Sequence, residues 1–419
     1  MTESLNSAGR GAAASVSQWL RNSLAISEVA LAVLLVISAG LLIRSFWALS
    51  HVDPGFQAEQ ILTARITPNQ TFCNDTERCL AFYRNVLERA RTSPGVSGAA
   101  LVNTLPLAGR VTKRSFDLED FSNLAANTTQ PLFWLDVVTP DYFRVMGISL
   151  IAGRWFTEAD ESGGPPVVVI TAETARRFWH GGEVVGRHVR LVGEKEWRTI
   201  IGVVADVRAY DLQNSIPDYM RGTAYVPYTP KATQEDGSVP AEMTIAVRTT
   251  LDGQEAGITL RHIVNGLAPE VPVSEVRAMR AVVSEAASTP ASTTFLFAAF
   301  AGVALVLGMV GIYGVLAFLV SKRAREMGIR MALGAQRRDV LWLVMKEGAK
   351  FCLADITLGL VGAFALTRLL ASQLYGVGPK DGVTFTGVAL VMAMVTLAAC
   401  YIPARRAMRV DPMVALRYE

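Results

Sequence analysis

The sequence predicts a membrane α-helical protein with four transmembrane helices and a large mixed α/β extracytoplasmic domain inserted between the first and second helices. Three observations lead there. Charged residues make up only 18% of the 419 residues and hydrophobic types 51%, against roughly 25% charged in ordinary soluble domains. The charges are also missing in blocks: residues 29–43, 286–321 and 382–404 carry none, and 351–370 carry only Asp355 and Arg368. A helix needs about 20 mostly apolar residues to cross roughly 30 Å of hydrocarbon. Finally, the long stretch between the first two blocks has the patterning of a folded domain. The composition excludes a disordered chain, which combines low hydrophobicity with high charge. Four cysteines exclude a disulfide-stapled miniprotein, and a net charge of +3 leaves no footprint for nucleic acid.

In chain order, residues 1–28 form an N-terminal cytoplasmic segment and 29–49 the first span. Residues 50–292 form the outer domain, 293–320 the second span and 321–350 a cytoplasmic segment. Residues 351–372 form the third span, 373–382 a short external loop, 383–403 the fourth span and 404–419 the cytoplasmic tail. The first block also admits a cleaved signal peptide with Arg10 and Arg21 as its basic region, but no clear small-residue cleavage site follows it. Orientation follows the basic residues of the short loops. Segment 321–350 is rich in Lys and Arg, among them Lys322, Arg323, Arg325 and Arg330, and the tail adds Arg405, Arg406 and Arg409. Both termini are therefore expected in the cytoplasm of a multi-pass protein of the cell (inner) membrane.

Within the outer domain, residues 61–66 read as a strand closed by Pro68. Residues 76–90 read as a helix, with Leu80, Tyr83, Val86 and Leu87 at spacings of three and four and Asp75 as its N-cap. Residues 165–170 are a buried strand, 188–192 and 197–207 a hairpin around 193–196, 243–248 a further strand, and 256–267 a helix. Strands and helices interleave, so the domain is mixed α/β rather than a β-sandwich.

Cys73 and Cys79 lie outside by this topology, where a disulfide between them would persist; two inert thiols remain the alternative. Cys352 and Cys400 fall in spans and read as packing residues. His51, His180, His188 and His262 are scattered without metal-ligand spacing, and no phosphate-binding GxxxxGK[ST] loop is present. No metal site, cofactor site or catalytic constellation is expected. Three Asn-X-Thr triplets, at Asn69, Asn74 and Asn127, match the glycosylation pattern and carry no weight.

Glu28 and Arg44 bracket the first span, about 24 Å apart along a helix, close enough to the interfaces to snorkel. Trp47 suits the outer aromatic belt. Asp355 sits about one turn inside the third span: either a functional carboxylate or one paired and hydrated at the cytoplasmic edge. Gly308, Gly311 and Gly314 recur every third residue of the second span and are expected to pack against another span or subunit. In segment 321–350, apolar residues such as Val340, Leu341 and Val344 interleave with basic ones. That pattern suits a docking or membrane-surface element as well as an ordinary positive inner loop.

In that segment REMGIRMALGAQRRDVL (325–341) resembles the signature of the FtsX-like permease family of bacterial ABC transporters, the macrolide-exporter-like group among them. The tail YIPARRAMRVDPMVALRYE (401–419) resembles the family's C-terminal end, and LLIRSFWALSHVDPGF (41–56) the exit from its first span. TPDYFRVMGISLIAGRWFTEAD (139–160), VVVITAETARRFW (167–179) and WRTIIGVVADVR (197–208) resemble the associated periplasmic core domain. The opening LNSAGRGAAASVSQWLRNSLAISEVALA (5–32) is similar to the junction before the C-terminal half of acidobacterial-type duplicated permeases. Asp355 departs from the small or apolar residues of that position.

The resemblance implies a permease subunit without its own ATPase motifs, working with a separate ATP-binding-cassette ATPase that binds the ATP. It implies mechanotransmission from that ATPase to the outer domain, with Arg325, Glu326, Gly328, Arg330, Ala332, Gly334 and Ala335 as the ATPase-coupling element. Further implied partners are a second permease half or a homodimer partner, the lipid bilayer and an envelope adaptor. A non-transporting regulator of a cell-envelope partner, using the same coupling, is the alternative. A sensor or secondary carrier would need a signalling domain or repeated charged half-helices, and the sequence has neither.

Overall fold

The apolar stripe of 76–90 and the strand pattern of 61–66 need a common burial partner, and a computed structural model of the chain supplies it. The structure describes residues 27–28, 30–119, 131–180, 182–212, 220, 222–230, 240–322, 336, 342, 346, 357–362, 364 and 381–407. The chain divides into two units, Val52–Ser288 and the remainder, Met1–His51 with Thr289–Glu419.

After helix α1 (Ala30–Ser50), the first unit opens with β1 (Ile61–Ile66), the short α2 (Gln70–Cys73), α3 (Thr76–Arg91) and β2 (Val96–Val102). Helix α3 starts where it does because the Asp75 carboxylate accepts the free N–H groups of Glu77 and Arg78 at 3.1 and 3.2 Å. Its stripe of Leu80, Tyr83, Val86 and Leu87 is buried. Next come β3 (Lys113–Leu118), β4 (Leu132–Val138), α4 (Tyr142–Met146), β5 (Leu150–Gly153), α5 (Glu158–Glu161), β6 (Val167–Thr171) and α6 (Ala172–Trp179). The unit ends with β7 (His188–Leu191), β8 (Arg198–Val204), β9 (Gly222–Pro227), β10 (Met243–Thr249), α7 (Gly253–Leu267) and β11 (Val273–Ala278).

Strands β11-β1-β10-β2 form one antiparallel array. Read in chain order this is two interleaved βαβ units, β1-α3-β2 and β10-α7-β11, the split βαβ arrangement. Helices α3 and α7 cover it with Val86, Ala90, Leu260 and Val264. Everything between β2 and β10 is an insertion, and it closes on itself. Strand β4 pairs with β3, β3 with β7, β7 with β8, β8 with β6, β6 with β9, and β9 returns parallel to β4. Phe116, Phe133, Leu135, Ile170, Leu191 and Val226 belong to the same core as the sheet residues under α3 and α7. Only one registered pair, Val102 with Val138, joins β2 to β4.

Compared with the sequence reading, α7 begins three residues earlier, because Asp252 caps it through the Gln254 N–H. The hairpin is shorter, β7 with β8, and β2, β3, β4, β5, β9 and β11 are additional strands. Cys73 and Cys79 form a disulfide tying α2 to the first turn of α3.

Two further long helices follow, α8 (Met279–Lys322) and α9 (Gly382–Ala407). Helix α8 has 44 residues, about 66 Å at 1.5 Å each and twice a hydrocarbon thickness. It therefore starts well before the span expected at 293–320, directly from the end of β11. Pro290, which has no N–H to donate to the preceding turn, lies beside the division between the two units. Among the described residues three helices are long and apolar enough to cross a membrane: Ala30–Ser50, Met279–Gly314 and Gly382–Ala399. The expected third span lies mostly outside the described residues; 357–362 and 364 within it are helical.

Reduction or removal of the disulfide tests its contribution. Cys73→Ala is expected to lower the unfolding free energy by roughly 2 kcal/mol, the loop-closure value for so short a ring. Urea unfolding with and without reductant checks this: reductant shifts the wild-type midpoint and leaves the variant's unchanged.

Candidate functional site

The segment that leads from α1 into the α/β unit, Asp53-Pro54-Gly55-Phe56, is held by backbone geometry. The Asp53 carboxylate accepts the Gly55 N–H at 2.9 Å, closing a turn. Gly55 takes φ +83°, and a Cβ there would lie 2.0 Å from the Asp206 carbonyl oxygen. Only glycine allows this close approach. The Arg208 N–H donates to the Pro54 carbonyl at 3.0 Å, and the Gln57 N–H to the Met146 carbonyl at 2.8 Å. The lead-in is thus clipped both to the chain leaving β8 and to the end of α4.

Asp206 organises the other side. Its carboxylate accepts the Glu173 N–H in the first turn of α6 at 2.5 Å and the Arg176 guanidinium at 2.6 Å. Asp53, Glu173, Arg176, Asp206, Val207 and Arg208 line a polar cavity of about 440 Å³. Its acids are already occupied, Asp206 by Arg176, Asp53 by the Gly55 N–H and Glu173 by Arg177, so the site holds the lead-in in place. Among the described residues no group of three or more His, Cys, Asp or Glu is placed to hold a metal ion.

In the other unit, Val33, Ile37 and Leu41 of α1 pack with Ile312 of α8 and Val388 and Met392 of α9. At one end of α1, Arg44 pairs with Asp381. The same carboxylate caps α9 by accepting the Thr384 N–H at 2.9 Å and its hydroxyl at 2.6 Å. Next to this clasp Gly40 lies against Thr384, where a Cβ would come within 2.9 Å of the threonine methyl. Trp47 is 65% exposed.

The three expected packing glycines behave differently. Gly308 is buried. A Cβ on Gly311 would stand 2.8 Å from the Glu28 carboxylate, so Glu28 turns onto α8. Gly314 has open space within 4 Å among the described residues. Glycines 40 and 359 instead make the other close approaches among the described spans, the second with Val33. No three-residue repeat marks them, since each answers to a neighbour distant in sequence. The coupling residues Arg325, Glu326, Gly328, Arg330, Ala332, Gly334 and Ala335, with Cys352 and Asp355, lie outside the described residues. The Gly55–Asp206 clip was hidden inside the motif 41–56, where Asp-Pro-Gly signals a turn but not what the turn touches.

Residues 23–263 match the family described as MacB-like periplasmic core domain, and residues 298–412 the family described as FtsX-like permease C-terminal. The macrolide export ATP-binding/permease protein MacB of Shigella sonnei is 30% identical over 289 residues, 67% of this chain and 43% of that protein. The protein of the same description from Hahella chejuensis is 26% identical over 302 residues, 71% of this chain and 44% of that protein. The chain spans less than half the length of these curated relatives, and the matched part is the permease. A solved structure of the periplasmic region of MacB from Actinobacillus actinomycetemcomitans aligns with a TM-score of 0.35 at 16% identity, over 53% of this chain and 90% of that one.

The clip yields a direct test. Gly55→Ala forces a side chain into the left-handed region and against a carbonyl, a cost of about 1–3 kcal/mol for the backbone alone. In a domain of this size each kcal/mol lowers the melting temperature by about 2–4 °C. Gly163→Ala is the comparison: φ is +94° but nothing lies within 4 Å. Differential scanning fluorimetry is expected to show the larger drop for Gly55→Ala.

Proposed function

The chain belongs to the MacB-like and FtsX-like family of ABC transporter permeases, and from that premise we propose that it works by mechanotransmission. It is a membrane protein with an extracytoplasmic domain, and in this reading it moves no substrate through its own spans. A separate ATP-binding-cassette ATPase binds and hydrolyses ATP on the cytoplasmic side. It docks on segment 321–350 through Arg325, Glu326, Gly328, Arg330, Ala332, Gly334 and Ala335. Four spans place both termini in the cytoplasm and residues 50–292 outside, following the basic residues of the inner segments.

One observation carries the reading. The α/β unit begins and ends in ordered elements rather than slack linkers. At its start, Gly55 and Pro54 are locked on Asp206 and Arg208. At its end, α8 grows from edge strand β11 without a break, with Met279 and Val282 buried. Ordered chain ends support a reading in which helix displacement is passed into the domain, because a flexible linker would absorb it.

A second permease half, or a second copy of the chain, completes the assembly in this proposal. Supporting that, Leu296, Phe300, Val303, Leu307 and Val310 form an exposed stripe along α8 at alternating spacings of four and three. The stripe is distinct from the Ala301 and Ile312 positions, which are buried. Phe295, Val306 and Met309 are exposed beside it, so this is a broad apolar face with room for a helix partner as well as lipid. An envelope adaptor on the outer domain is the remaining partner the family membership suggests.

The coupling assignment is testable without knowing the substrate. Charge reversal at both Glu326→Arg and Arg330→Glu is expected to abolish ATPase association while membrane insertion stays intact. Co-purification of the ATPase from detergent extracts reads it out. Recovery at the wild-type level would show that the docking element lies elsewhere. Substrate stimulation of ATPase activity favours transport; stimulation of an envelope enzyme favours the regulatory alternative.

A further inference from the structure

The α/β unit has two lobes, the split βαβ sheet and the closed barrel, and β4 is where they meet. The joint is narrow. Around the Val102–Val138 pair, the Asn103 N–H donates to the Val137 carbonyl and the Thr139 N–H to the Leu101 carbonyl, each at 3.1 Å. The Asn103 side chain accepts the Val137 N–H at 2.7 Å, and the Thr139 hydroxyl accepts the Leu101 N–H at 2.9 Å. Asp136 is set into this joint on β4, 6% exposed, opposite Tyr225 in the parallel register with β9.

What surrounds Asp136 is unusual for a carboxylate. From the turn after β2, the Thr104 hydroxyl hydrogen-bonds to it. From α4, Tyr142 acts on it, and from β9, Tyr225, which also feels Asp206 from the chain after β8. Among the described residues no basic side chain acts on it. Tyr142 is fully buried and its hydroxyl has no hydrogen-bond partner. The Trp134 Nε1–H, two residues away on the same face of β4, has none either. Buried polar groups are ordinarily paired, so two orphans beside one acid call for an explanation.

We propose that Asp136 is a protonation latch that sets how the two lobes of the outer domain are held at β4. With the proton on, the neutral carboxyl fits the dry joint and needs only Thr104, and Tyr142 is left idle. With the proton off, the charge demands donors, and those around it are the Thr104, Tyr142 and Tyr225 hydroxyls or entering water, of which Tyr142 is the buried one without a partner. Tyr142 opens α4, which packs on β2 and β10 of the sheet lobe. Recruiting it therefore pulls on one lobe from a strand of the other.

Burial pushes the Asp136 carboxyl from 3.8 up to about 7, so the change falls near neutrality. The folded form keeps this proton where an unfolded chain has lost it. Its stabilising contribution is complete below about pH 4 and is lost as pH rises through about 7. A second carboxyl, Glu161 of α5, is also raised by burial to about 7. It faces Arg84 and Arg91 of α3, Glu158 and Asp141. Its charge finds cations waiting, so it is the control and not the latch.

The test uses the full chain in lipid nanodiscs, with Cys352→Ala and Cys400→Ala and the disulfide retained. Spin labels at Arg261→Cys on α7 and Lys195→Cys in the β7–β8 turn report one lobe each. Distances are compared between about pH 6 and about pH 8.5, on either side of the transition. The expected result is a shift in the inter-label distribution with a midpoint near neutrality. Asp136→Asn, a neutral isostere, holds the low-pH distribution at both values, and Glu161→Gln leaves the shift in place. Thr104→Val removes the bond that favours the charged form and moves the midpoint upward, which decides the matter if Asp136→Asn does not fold. An unchanged wild-type distribution overturns the proposal. So does a shift that persists in Asp136→Asn, or a midpoint indifferent to Thr104→Val.

Discussion

Strand β4 is claimed by two β-structures at once, and the outer domain depends on that sharing. Toward β2 it carries the joint to the sheet; toward β3 and β9 it closes the barrel. Six of its seven residues are buried. Phe133 and Leu135 enter the common core while Trp134 packs on the opposite face with Ala209 and Met220. Burying each such side chain stabilises the fold by roughly 1.5–3 kcal/mol. A strand buried on both sides has no solvent face on which to spend a polar residue. Asp136 in its middle is therefore a cost, tolerable only because the carboxyl can keep its proton.

The membrane unit solves the opposite problem. Its helices have apolar residues all round, so packing between them cannot come from the hydrophobic effect once they are in lipid. Specific contacts come instead from small residues and from polar groups near the ends. Gly40 and Gly359 bring backbones close. Thr294 reaches the Leu42 carbonyl at 3.5 Å, and the Arg44–Asp381 pair ties α1 to the cap of α9. The pair is half exposed on the arginine side, where an ion pair alone contributes little. Its value lies in geometry: one carboxylate caps a helix and receives an arginine from another.

How much of this was legible in the sequence follows from what each signal measures. Charge-free blocks announce spans because charge is expensive in lipid, whatever the fold. Helices α3 and α7 announce themselves because one face is wet and one is dry. Strands β4 and β9 do not, since LFWLDVV and GTAYVP are covered on both faces and lose the two-residue alternation. Strand β2, VSGAALV, is built of small residues that fit close to a helix and carry no strand signature. Edge strand β11 hides for another reason: Glu275 and Arg277, with Glu275 at φ 50°, blunt an open edge and read as loop. The glycine repeat of the second span told only part of the packing, because a three-residue repeat fixes only a face of a helix. Whether anything lies opposite is set by another segment.

The same logic explains why the clip and the joint belong in one argument. The lead-in from α1 is fixed on the chain after β8, part of the barrel lobe, and on the end of α4, which packs on the sheet lobe. Helix α8 leaves from β11, at the far edge of the sheet lobe. In the proposed mechanism an axial displacement of either helix enters the domain at one of these two places. Ladders such as β1 with β10, six registered pairs long, resist shear because many hydrogen bonds must break together. The β2–β4 bridge has a single registered pair, with two backbone bonds between Asn103 and Val137 and between Thr139 and Leu101, backed by the Asn103 and Thr139 side chains. One hydrophobic core runs through both lobes, so this shortest of the ladders, beside the one carboxyl on β4, is where the strands themselves hold the lobes least. In the proposal, what Asp136 binds decides how far the joint gives.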